Sequence, residues 1–222
     1  MTAGHLVVGF DLDMTLIDST DAIAATLDAA VAVSPGGEGV RITAADVWPW
    51  VGVPLEDTVE ALAPAADVPV VVREYRARYA SLGVPMLSLM PGALEALDAV
   101  RTAGGRVLVV SAKAEAGVHE SLARVGLSAP GVAPDVVVGG LFAAAKGEFL
   151  REQGASVYVG DHPGDVEAAL VAGAVPVALT TGAHDGTALR SAGAEVVLGG
   201  LPEFPAWLSS FLPRLRRSRV TR

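Results

Sequence analysis

Two kinds of segment alternate along the chain. Short, continuous apolar runs occur at Leu6–Phe10 (LVVGF), Arg106–Val110 (RVLVV), Asp135–Val138 (DVVV), Ser156–Val159 (SVYV), Val175–Leu179 (VPVAL) and Glu195–Leu198 (EVVL). They are rich in β-branched residues, so each predicts a short buried strand. Between them lie stretches with helical character, Gly92–Ala103, Ala114–Arg124, Ala144–Glu152 and Pro163–Ala172, each closed by a glycine within a few residues. Strand alternating with helix implies an α/β architecture, a doubly wound parallel sheet with helices on both faces.

The interval between the first strand and the second is far longer than one crossover helix requires. It carries its own helical patterns at Ser19–Val33, Leu55–Leu62 and Val68–Leu82. In the last of these, Val68, Val71, Val72, Tyr75, Tyr79 and Leu82 recur at helical spacing while Arg73, Arg76 and Arg78 fall towards other faces. The turn-rich segment Ser34–Gly39 separates the first two helices. The expected division is therefore a core domain of residues 1–18 plus 89–222 and an inserted helical cap domain of residues 19–88. Trp48 and Trp50 could line a substrate pocket, but are read first as anchors of the small cap core.

Composition then narrows the function. The chain has 222 residues, of which 51% are hydrophobic, and no cysteine. That length should bury roughly 70% of the unfolded surface, which argues against disorder. Without cysteine there is no disulfide framework, thiolate metal site or cysteine nucleophile, so a cytoplasmic location is expected. The longest uncharged stretch, Ala168–His184, is interrupted by Gly173, Pro176 and Gly182 and is too short to span a bilayer. No basic residue precedes the Leu6–Phe10 run, so the N-terminus does not read as a signal peptide, and no membrane partner is expected. A net charge of −9 argues against a nucleic-acid surface. Lysine is scarce: of 16 basic residues only Lys113 and Lys146 are lysines. The Arg-rich end Arg214–Arg222 reads as a solvated, frayed terminus.

Candidate chemistry lies where strands end. Asp11-Leu12-Asp13-Met14-Thr15 follows the first strand, and ligands of parallel sheets bind beyond the carboxyl ends of the strands. Gly160-Asp161-His162-Pro163-Gly164-Asp165 follows the Ser156–Val159 strand. Its acids read either as oxygen ligands for a hard divalent cation or as helix-capping groups ahead of Pro163. Ser111 follows the Arg106–Val110 strand, either as an anion-binding hydroxyl or as a plain cap. Lys146 lies in a helix start expected at the same sheet edge.

The order and placement of these segments resemble the haloacid dehalogenase (HAD) superfamily, and the likeness runs along nearly the whole chain. Asp11–Thr15 looks like the family's first motif, Ser111 its second, Lys146 its third and Gly160–Asp165 its fourth. Val51-Gly52-Val53-Pro54-Leu55-Glu56 is similar to a cap segment of phosphoglycolate-phosphatase-like members. The resemblance implies a Rossmann-like HAD core with a helical cap, and a Mg²⁺-dependent phosphatase that hydrolyses a small phosphorylated metabolite through an aspartyl phosphate. Asp11 would be the nucleophile and Asp13 the general acid and base. Asp11, the backbone carbonyl of Asp13, Asp161 and Asp165 would hold Mg²⁺, and Thr15, Ser111, Ala112 and Lys146 would bind phosphate. Departures from the family pattern are Met14 in place of a frequent glycine, Ala112 in place of a polar residue, and Gly147 in place of a frequent proline, with Lys146 only 15 residues before Asp161.

Two alternatives stand beside that reading. A sugar phosphomutase shares all four motifs, and a non-catalytic HAD-fold binding protein would need none of the acids kept. Asp13 argues against a dehalogenase, which lacks that carboxylate. The absence of lysine from Ser19–Met90 argues against a phosphonatase, which uses a cap lysine.

Overall fold

The computed structural model describes residues 6–220. After β1 (Val7–Phe10) and the short β2 (Ile17–Asp18) come α1 (Thr20–Val31), α2 (Ala44–Val47), α3 (Leu55–Leu62) and α4 (Val68–Leu82). The two-residue β3 (Ser88–Leu89) then pairs antiparallel with β2 and returns the chain to the sheet. There follow α5 (Ala93–Thr102), β4 (Arg106–Val110), α6 (Glu115–Arg124), β5 (Val136–Val138), α7 (Ala144–Glu152), β6 (Val157–Gly160) and α8 (Pro163–Ala172). The last elements are β7 (Val175–Leu179), α9 (Gly186–Ser191), β8 (Val196–Leu198) and α10 (Phe204–Val220).

The main sheet is parallel, in the order β5-β4-β1-β6-β7-β8. Alternation along each strand sends side chains to opposite faces. Val8, Phe10, Val107, Val109, Val157 and Val159 pack with α5, α6 and α10 on one face. Val7, Leu108, Val110 and Tyr158 pack with α7 and α8 on the other. Both faces are covered, which is why the strands read as unbroken apolar runs rather than alternating ones. Buried Tyr158 keeps its hydroxyl satisfied by donating to the Val110 carbonyl at 2.7 Å.

The chain builds outward from β1 through β4 to β5, then resumes on its other side with β6. The crevice between the carboxyl ends of β1 and β6 is therefore the switch point, the place where open α/β sheets bind ligands.

Helices α1 to α4 make a separate hydrophobic cluster around Leu27, Val31, Val47, Val59, Val71 and Tyr75. Met14, from the loop after β1, also inserts into it.

Three expectations need correction. The Arg-rich end is helical as far as it is described, because α10 extends to Val220, and the first turns of that helix bury Phe204 and Leu208. Its Phe204 ring meets Phe10 edge-on with centroids 5.4 Å apart. Only the final two residues of the Arg214–Arg222 segment, like the N-terminal residues before Leu6, lie outside the described ones. The β2–β3 pair and α9 were not expected either; α9 starts where Asp185 accepts the Thr187 and Ala188 N–H groups. Trp48 packs on the helical cluster as expected, whereas Trp50 lines a cavity instead.

Candidate active site

The loop after β1 is wound tightly. Asp11 N–H donates to the Val159 carbonyl of β6 at 2.8 Å, and the Leu12 carbonyl accepts from Leu16 and Ile17 at 2.9 and 3.0 Å. The tight winding puts Met14 at φ 57°, a left-handed conformation that disfavours side chains other than glycine. The strain is offset by burial of its side chain, whose Sδ accepts from the Thr20 hydroxyl at 3.3 Å. The Thr181 hydroxyl secures the turn further by donating to the Met14 carbonyl at 2.6 Å.

Asp11, Asp161 and Asp165 are all buried, and each offers an oxygen within 4.8 Å of the others. Asp161 is not a helix cap. The N-cap of α8 is His162, whose Nδ1 accepts from Gly164 N–H at 2.9 Å, leaving Asp161 directed at the crevice. Asp165 does both jobs: one oxygen accepts from the His162 N–H at 3.2 Å, and the other faces Lys146. Lys146 Nζ lies 2.7 Å from Asp11 and 2.7 Å from Asp165, with its side chain almost wholly buried. Gly147 explains how so short an interval delivers it. A Cβ there would meet the Val171 Cβ at 2.6 Å and the Ala168 carbonyl oxygen at 2.7 Å, so only glycine lets α7 lie this close to α8.

The remaining sequence candidates fall in different places. Thr15 is buried with its hydroxyl donating to Asp161 Oδ1 at 2.9 Å, so it faces a carboxylate rather than the open crevice. Ser111 stands four residues before α6 and does not cap it; its N–H donates to the Val138 carbonyl and its hydroxyl oxygen accepts from Lys113 N–H at 3.2 Å. Ala112 lines the neighbouring cavity. The Asp13 carboxylate stands apart from the three-acid cluster and pairs with Lys113 Nζ at 3.1 Å, where both side chains are nearly buried. Lys113 also sits 4.6 Å from the centre of the Tyr79 ring of α4.

The sequence marked Lys113 only as one of two lysines and did not foreshadow its contact with Asp13. Nor did it single out Gly182, where a Cβ would fall 1.9 Å from Asp161 Oδ2. Its neighbour Thr181 holds the Met14 turn, and the pair follows directly on β7, a placement that was legible.

Charge is concentrated here. Burial, reinforced by Asp165 and Asp13, outweighs Lys146 and pushes the Asp11 carboxyl up to about 7. Burial and the charges of Asp11 and Asp165 hold Asp161 well above the ordinary carboxylate range. Burial alone would lower Lys146, but Asp11 and Asp165 outweigh it and keep the ammonium firmly charged. Lys113 is held up in the same way by Asp13. Three acids against one lysine leave an excess of negative charge, and an all-oxygen donor set of this kind fits a hard divalent cation.

Fold and site together describe an α/β enzyme with an acidic, cation-ready crevice at its switch point. A family described as haloacid dehalogenase-like hydrolase matches residues 8–170. The phosphoglycolate phosphatase of Rhodospirillum rubrum is 31% identical over 221 residues, covering 90% of this chain and 89% of that protein. The chain thus belongs to the haloacid dehalogenase-like hydrolase family and is an enzyme of that class. In fold it is similar to a predicted phosphatase from Clostridium acetobutylicum, with TM-score 0.78 at 19% identity over 93% of this chain and 99% of that one. It is similar also to a haloacid dehalogenase-like hydrolase from Streptococcus pneumoniae, with TM-score 0.77 at 18% identity over 93% and 100%.

Proposed function

We propose that the protein is a Mg²⁺-dependent phosphatase that hydrolyses a small phosphate monoester through an aspartyl phosphate on Asp11. The observation that carries this reading is the meeting of Asp11, Asp161, Asp165 and Lys146 beside Asp13, which borders an open cavity. Asp11, Asp161 and Asp165, with the Asp13 backbone carbonyl, would hold Mg²⁺, which supplies positive charge to offset the carboxylates and the incoming phosphate.

Asp11 attacks phosphorus, and the bond from phosphorus to the leaving oxygen breaks. Asp13 gives that oxygen its proton, then takes one from the water that opens the aspartyl phosphate, returning Asp11 and releasing inorganic phosphate. Lys146 neutralises the phosphoryl oxygens from beside Asp11, and Ser111 with the Ala112 N–H contributes donors. Thr15 orients Asp161, a role its contact supports better than phosphate binding. Residues 19–88 act as a cap over a core of 1–18 and 89–222, and the enzyme works in the cytoplasm on a soluble metabolite. Among the described residues no helix is long and apolar enough to cross a membrane.

The test is phosphate release from a panel of monoesters with Mg²⁺. Asp11→Asn is expected to fall to background and Asp13→Asn to lose roughly 10²–10⁴-fold in kcat. No release from any ester, or undiminished release by Asp11→Asn, overturns the reading. Isomerisation of a sugar phosphate without net release favours a mutase.

A further inference from the structure

The cavity that Asp13 borders runs between the helical insertion and the loop before α6, with a volume of about 170 Å³. Resting on the phosphatase reading, this is where the leaving group must lie, because the acid that protonates the leaving oxygen has to reach it. What surrounds that group therefore states what it is.

Its walls are largely apolar and aromatic. Tyr75 and Tyr79 stack at 5.5 Å between centroids, and Ile23, Trp50, Val53 and Leu55 close the other sides. The space accommodates a six-membered ring, since an apolar cavity of about 150 Å³ takes benzene.

Two of the hydroxyls on the walls are already engaged. The Thr58 hydroxyl donates to the Pro54 carbonyl at 3.1 Å, and the Tyr79 hydroxyl pairs with Ser121 Oγ at 3.3 Å.

Charge gives the sharper constraint. The lining holds two cations, Lys113 and Arg76, and both are matched: Lys113 to Asp13 at 3.1 Å and Arg76 to Glu56 at 3.2 Å. Glu120 adds an acid that makes no ion pair among the described residues, so the lining is net negative. When Asp13 is protonated for its acid role, Lys113 is left to the dianionic phosphate, so a leaving group bearing a carboxylate or a second phosphate would still meet no spare cation and one unmatched anion.

We infer that the substrate is the phosphate monoester of an uncharged, single-ring-sized alcohol with an apolar or aromatic face, and that the Glu56–Arg76 pair excludes anionic leaving groups. The R. rubrum relative is called a phosphoglycolate phosphatase, whose leaving group would carry a carboxylate. This cavity makes such a compound a poor substrate here.

The experiment compares phenyl phosphate with 4-carboxyphenyl phosphate by phosphate release with Mg²⁺. The para carboxylate makes the phenol a slightly better leaving group, so intrinsic reactivity opposes the expected order. The wild-type kcat/KM should be at least tenfold higher for phenyl phosphate, mainly through KM. Glu56→Gln frees Arg76 and should narrow that ratio several-fold, chiefly by lowering KM for the carboxylated ester. Equal or reversed preference in the wild type overturns the inference and leaves the phosphatase reading standing. An unmoved ratio in Glu56→Gln removes the gating role of the ion pair. If neither these two esters nor the wider panel releases phosphate, the phosphatase reading fails and takes the inference with it.

Discussion

Met14 and Asp11 show two ways in which this site departs from a relaxed structure. Met14 holds a left-handed backbone that costs roughly 1–2 kcal/mol, yet its buried side chain ties the loop after β1 to the helical cluster. Asp11 is the more consequential case. Its ordinary value is 3.8 and burial is the leading cause of its rise to about 7, so between those pH values the folded protein binds a proton that the unfolded chain does not. Stability then falls as pH rises through that window, because the native state holds more protons than the unfolded one. Lys146 stays charged throughout and does not alter the sign. In the presence of a chelator, wild-type unfolding free energy should therefore decline from about pH 4 to pH 7. Asp11→Asn should flatten that decline and be the more stable of the two at pH 8, as read from urea midpoints. Parallel curves for the two proteins would show that Asp11 does not titrate in this range.

Packing between α7 and α8 decides where Lys146 sits, and Gly147 is the point of contact. Glycine inside a helix normally costs about 0.8–1 kcal/mol relative to alanine, so Gly147→Ala would stabilise an isolated helix. Here both nearest atoms lie under 3 Å from the added Cβ, and one is a backbone oxygen, so α7 has to shift. Overpacking of this kind costs about 1–3 kcal/mol and should win. Gly147→Ala is expected to lower the denaturant midpoint and to weaken phosphate turnover with it; a more stable variant would show that the helices have slack. The strands and most helices were legible because burial on both faces writes itself as continuous apolar runs, and α3, α4, α7 and α8 have the predicted bounds. The helix α10 was not, because its Arg-rich end and Pro213 hide an apolar face that only the packing of Phe204, Trp207 and Phe211 reveals. The acids of the site were legible from their position after strands. The pairing of Lys113 with Asp13 was not, since it depends on the loop between β4 and α6, whose path periodicity does not describe.

The net charge of −9 conceals how unevenly the acid is spread, because Asp11, Asp161 and Asp165 share one buried corner. Two distant parts of the chain bring them there, the first from the end of β1 and the others from the β6–α8 junction, so the corner exists only in the folded molecule. A cation bound there is therefore bound by the native state and not by the unfolded chain, and must stabilise the fold by mass action. At a Mg²⁺ concentration a hundredfold above its Kd the unfolding free energy should rise by about 2.7 kcal/mol, and excess chelator should reverse it. Asp161→Asn removes a ligand without touching Lys146 or the cap of α8, so it should fold while losing most of the Mg²⁺-dependent rise. A calorimetric or denaturant titration that finds the wild type indifferent to Mg²⁺ would separate the acidic corner from metal binding, whatever the activity proved to be. A rise in the wild type that Asp161→Asn retains would move the ion to other ligands.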